Sequence, residues 1–344
     1  MNLLEGLRLR RSWPPRRLSL ALQGGGSFGA FTWGVLDRLL EEQNVAVDTV
    51  SGTSAGAINA VLLAAGLAEG GAQAARAKLA RFWERLSRTA AFGPFGGAAG
   101  FAPGASGTFS FWTRLLSPYQ YNPLDLNPLR ALINEEVDFK RLRHAAPIGL
   151  LIAATRVADG RARIFRDSEI DADAVLASAS LPLYHHAVTI DDIAYWDGGY
   201  SANPPLLDLV MASEAPDVLV VQITPMHSAA VPTTSRDIIR RLDQITFNAS
   251  LQAEIGMLAW HTARSRGLLG LLSHEGRKLR RLNLHRIAAE EEFTGLSEAS
   301  ASNLDWGFLS KLKEDGRAAA TAWLGRKEPE AAAFGLELKT SLAP

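Results

Sequence analysis

Residues 18–29 read LSLALQGGGSFG, and residues 50–60 read VSGTSAGAINA. Each stretch passes from a short apolar run through a glycine-rich turn into a segment with helical character. After the first turn, Ala30, Phe31, Val35, Leu36, Leu39 and Leu40 recur at helical spacing, with Asp37, Arg38, Glu41 and Glu42 on the other face. After the second, AINAVLLAAGL is a helix of small residues suited to burial. Two strand–turn–helix units in the first 67 residues predict an α/β fold with a mainly parallel sheet covered by helices.

The remaining chain extends this pattern. Residues 71–90 read as a more charged helix. PIGLLIAATRV, ARIFRD and PDVLVVQITP read as further strands, and VTIDDIAYWDGG as a hairpin-like segment ending in a glycine pair. From Thr234 the pattern turns helical, and Ile238, Leu242, Ile245 and Ala249 keep one face apolar. Residues 92–112 are rich in glycine, proline and phenylalanine and too long for a simple connector; they read either as an interfacial or acyl-chain-binding element or as a segment that is buried in the core or disordered. The expected organisation is a basic arm (1–17), a catalytic domain (18–210), a last strand with a helical extension of the same domain (211–330) and a flexible tail (331–344).

Thirty-six basic and 36 acidic residues cancel, which argues against a nucleic-acid binder working through bulk positive charge. The absence of cysteine excludes disulfides, thiolate nucleophiles and cysteine-ligated metals. Arginines interrupt every apolar run before Gly24, and no apolar stretch reaches membrane-spanning length. The expectation is a cytoplasmic protein. Its basic leader with Trp13 reads first as a solvated arm, with peripheral contact to an anionic membrane surface as the alternative.

The second turn, Gly52-Thr53-Ser54-Ala55-Gly56, has the G-x-S-x-G pattern between a strand and a helix. A serine there adopts a strained backbone that pushes its hydroxyl outward, and small flanking residues avoid collision with neighbouring elements. Ser54 is therefore a candidate nucleophile. The first turn admits two readings. Gly24, Gly26 and Gly29 match the dinucleotide fingerprint G-x-G-x-x-G, but the second strand ends in Ser51 and lacks the acidic residue that would hold a ribose. The other reading is an oxyanion hole, in which bare backbone N–H groups, foremost those of Gly25 and Gly26, stabilise charge on a carbonyl oxygen.

A serine hydroxyl needs a proton acceptor. None of the seven histidines sits in a glycine-rich or strand-end setting. Of the adjacent pair His185–His186, at most one could face a site on a strand. Asp197, in AYWDGGYSANPP, is better placed, because Gly198 and Gly199 clear space beside it and partial desolvation would raise its pKa.

Taken in order, GGGSFG, GTSAG, ASASLPLYHHAVTIDDIAYWDGG and the trailing SANPP resemble the patatin-like phospholipases across roughly residues 18–210. The resemblance implies a three-layer α/β/α fold and a serine acyl hydrolase acting on lipid acyl esters, of phospholipase A or lysophospholipase type. Carried over by position, Ser54 resembles the nucleophile and Asp197 the base of a Ser–Asp dyad. Gly24, Gly25, Gly26, Ser27, Phe28 and Gly29 resemble the oxyanion loop; Gly52, Thr53, Ala55 and Gly56 resemble the nucleophile turn; Gly198 and Gly199 complete the base motif. The resemblance implies no metal or organic cofactor, and a lipid or fatty-acyl ester as partner. One departure stands out: the family often carries a basic residue where this chain has Phe28. The alternatives are an α/β-hydrolase triad using a downstream histidine such as His261 or His285, and a lipid-binding relative with weak catalysis. Oligomeric state is not readable from the sequence.

Overall fold

A computed structural model describes residues 13–92, 117–228, 230–265, 273–289 and 301–326. Most of the phenylalanine-rich segment, the start of the basic arm and the tail lie outside these residues.

The first strand, β1 (Arg17–Leu22), leads into α1 (Gly29–Leu39); β2 (Ala46–Gly52) leads into α2 (Ala55–Phe92), which is interrupted at Gly70–Gly71. Three helices follow: α3 (Pro118–Tyr121), α4 (Pro128–Glu136) and α5 (Phe139–Ala145). Then come β3 (Gly149–Arg156), β4 (Ala162–Arg166), α6 (Ala172–Ser178), β5 (Val188–Ile190) and β6 (Ile193–Asp197). The chain continues through α7 (Leu206–Ala212), β7 (Asp217–Gln222), α8 (Ser235–Ser265), α9 (His274–Arg281), β8 (Asn283–Ala288) and α10 (Trp306–Leu324).

The strands form one sheet in the order β5-β6-β3-β2-β1-β7-β8, with β4 paired to β3. From β3 to β8 the neighbours along this order are parallel, whereas β4 and β6 run antiparallel to β3. In β1, Leu18, Leu20 and Leu22 join the core on one face while Ala21 joins a second core on the other; β7 divides Leu219 and Val221 from Val218 and Val220 in the same way. A strand buried on both faces has no polar side to alternate with, hence the unbroken apolar runs in its sequence. Truncating Leu20 to alanine here costs about 2–5 kcal/mol.

The pairing along β3 positions the site. Both β2 and β4 pair with Leu151 and Ile152, so they occupy opposite edges of β3; both β4 and β6 pair with Ala154 and Thr155, so β6 must share the edge taken by β2. Gly52 at the end of β2 lies opposite Ile152, and Asp197 at the end of β6 lies opposite Ala154. The two strands therefore meet end to end, and the GTSAG turn leaves the sheet at their junction. The β5–β6 hairpin turns through Asp191 and Asp192, both at positive φ, as a two-residue turn matched to strand twist requires.

The described elements of the C-terminal third belong to the same core. The parallel edge strand β8 falls in a region expected to be helical, because the charges of LRRLNLHRIA mask its short apolar alternation. Helix α10 packs directly on α1: a Cβ on Gly34 would lie 1.9 Å from the Lys313 carbonyl oxygen, and one on Gly316 would lie 2.1 Å from that of Phe31. Arg76 of α2 and Arg317 of α10 converge on Asp37, tying these helices to α1. Trp13, the candidate membrane contact of the leader, is instead engaged internally: its indole N–H donates to the Leu324 carbonyl and its ring stacks on Trp323 and His285. Among the described residues only α2 is long and apolar enough to span a membrane, and 67% of its apolar window is buried within the fold.

Candidate active site

Ser54 has φ of 54°, the left-handed conformation expected of a nucleophile turn, and is 7% exposed. Its surroundings account for the glycines beside it. A Cβ on Gly52 would lie 2.5 Å from the Gly56 carbonyl oxygen, and one on Gly56 would lie 2.1 Å from that of Leu22. The turn is held from outside: the Ser54 N–H donates to Ser178 Oγ at 2.9 Å, and Thr53 Oγ1 donates to the Ala202 carbonyl at 2.7 Å.

The first glycine turn lies against this one. A Cβ on Gly24 would meet Ser54 Cβ and the Thr53 carbonyl oxygen at 2.8 Å each. Gly24 N–H donates to Asn203 Oδ1, Ser27 N–H to the Ala301 carbonyl and Phe28 N–H to the Gly25 carbonyl. Among the described residues no hydrogen bond engages the N–H of Gly25 or Gly26, the two donors singled out from the sequence. Gly26 has φ of +58°, and a Cβ there would also collide with the Ala301 carbonyl oxygen at 2.2 Å. Phe28, where the family often has a cation, is buried with its ring 6.4 Å from that of Phe308.

Asp197 is fully buried. Its Oδ1 accepts the Gly199 N–H at 2.7 Å; its Oδ2 has no hydrogen-bond partner. Burial lifts the carboxyl to about 7, against smaller lowering effects from the Gly199 N–H and the Ser54 hydroxyl. The Ser54 hydroxyl thus acts on the carboxylate without completing a hydrogen bond to Oδ2. Gly198 and Gly199 are both spatial necessities. A Cβ on Gly198 would lie 2.2 Å from the Ala153 carbonyl oxygen, and one on Gly199 would lie 2.4 Å from the Phe247 ring.

A match to the family model described as patatin-like phospholipase covers residues 20–210, more than half of the chain. The chain belongs to the patatin-like phospholipases. That membership supports a lipid acyl hydrolase activity. Across 296 residues it is 25% identical to the uncharacterized protein YjjU of Escherichia coli K12, covering 84% of this chain and 75% of YjjU. Among solved structures, VipD from Legionella pneumophila aligns with 91% of this patatin-like chain and 67% of its own, at 16% identity and a TM-score of 0.45. The type III effector ExoU aligns at 16% identity and a TM-score of 0.37, over 91% of this chain and 53% of its own.

Within this patatin-like site, Ser178 and Asn203 were not singled out from the sequence. Ser178 ends a helix and Asn203 stands six residues beyond Asp197; both lie in stretches that resemble the family, ASASLP and SANPP, but the sequence gives neither residue a role of its own. The histidines of the triad alternative lie elsewhere. His285 is buried on β8, 2.9 Å from Asp217 at the start of β7, the opposite end of the sheet from the glycine turns. His261 lies 13 residues beyond Asn248 on α8, about 20 Å along the helix axis.

Proposed function

We propose that this protein hydrolyses acyl esters of lipids, as a phospholipase A or lysophospholipase, through a Ser54–Asp197 dyad with an oxyanion hole formed by Gly25 and Gly26. The observation that carries this reading is the buried, unpartnered Oδ2 of Asp197 beside the strained Ser54 turn. Oδ2 takes the hydroxyl proton as Ser54 Oγ bonds to the ester carbonyl carbon, and the carbonyl π electrons move onto oxygen. The N–H groups of Gly25 and Gly26 stabilise that oxyanion. Its collapse breaks the ester C–O bond, and Asp197 returns the proton to the departing alcohol. Water then attacks the acyl-serine, giving a proton to Asp197; the second tetrahedral species releases the fatty acid as Ser54 Oγ recovers that proton. A carboxyl poised near 7 is matched to both halves of this cycle.

The test combines labelling with turnover. A fluorophosphonate probe should label wild type and not Ser54→Ala, and Asp197→Asn should label far more slowly. Fatty-acid release from phosphatidylcholine, lysophosphatidylcholine and triacylglycerol then assigns the substrate class. Absence of labelling in folded wild-type protein sinks the proposal.

A further inference from the structure

Three consecutive glycines leave the first turn without a side chain to fix its peptide planes, and glycine backbone changes conformation at little cost. The N–H groups of Gly25 and Gly26 can face one carbonyl oxygen only if the turn is pinned from outside. It is pinned at both ends. At its start, Gly24 N–H donates to Asn203 Oδ1 at 2.7 Å, and the Gly24 carbonyl accepts from Thr224 Oγ1 at 2.9 Å. At its end, Ser27 N–H donates to the Ala301 carbonyl at 2.7 Å. The two outer N–H groups are thus taken, and the two inner ones are left over.

Ala301 lies outside the stretch 20–210 that carries the family match. It opens a strap, residues 301–305, that runs from the glycine turn to the start of α10 and is anchored along its length. The Leu304 side chain is buried in the main core, and its carbonyl accepts from Ser87 Oγ on α2 at 2.7 Å, with Ser87 itself buried. Asp305 caps α10 by accepting the Phe308 N–H at 3.0 Å, and the Phe308 ring packs edge-on against Phe28, just past the turn. The strap presses on the turn at Gly26, where an added Cβ would lie 2.2 Å from the Ala301 carbonyl oxygen and 3.4 Å from Ala301 Cβ. Helix α10 is in turn fixed to α1 through Gly34 and Gly316, and α1 begins at Gly29, so one pair of packed helices carries both strap and turn.

We infer that Ala301 is a positioning residue for the oxyanion loop: its carbonyl, held in place by the Ser87 and Leu304 anchors, fixes the Gly26–Ser27 peptide and so keeps the Gly25 and Gly26 N–H groups aimed at the ester oxygen. Ala301 acts on the reaction only through these glycines. The inference rests on the lipid-hydrolase reading above and adds to it a requirement for a segment beyond the family match. Backbone donors stabilise a developing oxyanion only when their direction is set in advance. A turn freed at one end therefore loses rate rather than substrate affinity.

The experiment compares the full-length wild type with the double variant Ser87→Ala/Leu304→Ala, which removes both anchors of the strap and leaves the glycine turn, Ser54 and Asp197 unchanged. Leu312→Ala is the control: Leu312 is fully buried on α10, so its truncation lowers Tm while the strap keeps its anchors. All three proteins are assayed at a temperature where they remain folded. Hydrogen exchange of the Ser27 N–H, followed by NMR, reports the bond to Ala301 directly. That N–H should be protected in wild type and in Leu312→Ala, and exchange about tenfold faster or more in the double variant. With p-nitrophenyl butyrate, kcat of the double variant should fall about tenfold to a hundredfold at unchanged KM, with fluorophosphonate labelling slowed in parallel. Leu312→Ala should keep wild-type kcat and labelling. Rapid Ser27 exchange in wild type overturns the inference, as does unchanged exchange or unchanged kcat in the double variant. An equal loss of kcat in Leu312→Ala also overturns it, by assigning the effect to general destabilisation. A wild type that neither labels nor hydrolyses esters sinks the hydrolase reading and this inference with it, whereas a wild type that does both, with the double variant its equal, sinks the strap alone.

Discussion

Asn203 Oδ1 accepts the Gly24 N–H at 2.7 Å, while Asn203 Nδ2 donates to the Phe247 carbonyl at 3.0 Å. One buried amide thus links the first glycine turn, the segment after the Asp-Gly-Gly motif and α8. It engages the Gly24 N–H and leaves those of Gly25 and Gly26 directed elsewhere. Asn203 is a positioning residue in this arrangement. Replacing it with alanine strands the buried Gly24 N–H, which costs about 1–3 kcal/mol, while the Phe247 carbonyl keeps its place in the α8 helix, and it loosens the first glycine turn. The expected result is a lower Tm together with a fall in kcat of about a hundredfold, since displacements on the order of 1 Å have that effect. KM for a short soluble ester should change little. A variant of unchanged kcat and lowered Tm would assign Asn203 to stability alone.

The Asp197 carboxyl, raised by burial to about 7, links activity and stability to pH in opposite directions. In its proposed role as the base it must be ionised, so kcat/KM should rise with pH and reach half its plateau near 7. For stability, the unfolded carboxyl loses its proton near 3.8, while the folded one keeps it up to about 7. Between those values the folded state binds the extra proton, so stability falls as pH rises through this window and levels off above it. The loss from this one group is on the order of a few kcal/mol. Asp197→Asn should therefore be inactive yet melt higher than wild type at pH 8, with the gap shrinking towards pH 5. Equal Tm differences at both pH values would refute this account.

The glycines separate into those that space requires and those that it does not. A Cβ on Gly56 would lie 2.1 Å from the Leu22 carbonyl oxygen, a backbone atom that cannot step aside, whereas one on Gly256 in α8 would meet nothing within 4 Å. Gly56→Ala should destabilise by about 1–3 kcal/mol or more and abolish fluorophosphonate labelling by moving the Ser54 turn. Gly256→Ala should stabilise by about 0.5–1 kcal/mol through helix propensity, with activity retained. Thermal melts and labelling of the two variants side by side check both claims.

These contrasts also explain what could be read before the structure. Strand-to-glycine-to-helix transitions report local chemistry, so β1, β2, the Ser54 turn and the Asp197 motif were legible in short windows of sequence. The partners that hold them were not. Ser178, Asn203 and the Ala301 carbonyl reach the site through tertiary pairing, and an isolated serine or asparagine has no spacing that announces such a role. Periodicity likewise identified the apolar face of α8 without telling which side of the helix meets the core. Burial of Leu251, Ile255 and Leu258 settles that. Phe28 illustrates the same limit: its departure from the family pattern is visible in the sequence, but its ring stacking on Phe308 depends on a helix 280 residues away.

His285 provides the remaining discrimination between a dyad and a triad. Its ring lies 2.9 Å from Asp217 Oδ1 and 5.5 Å from the rings of both Trp13 and Trp323, in a buried cluster at the starts of β7 and β8. Asp217 pairs with Leu18 at the start of β1, and Gly24 lies six residues further along that strand direction, about 20 Å away. A group so placed cannot take a proton from Ser54, but it does fill space and satisfy a buried carboxylate. His285→Ala should thus lower Tm by removing one of the bonds to Asp217, which Asn283 Nδ2 still holds at 2.8 Å, and the ring packing on Trp13 and Trp323, and should leave kcat and fluorophosphonate labelling of the folded protein at wild-type values. His261→Ala and His274→Ala, on helical surfaces, should alter neither. Loss of labelling in any one of these variants at a temperature where it remains folded would restore a histidine base and displace Asp197 from that role.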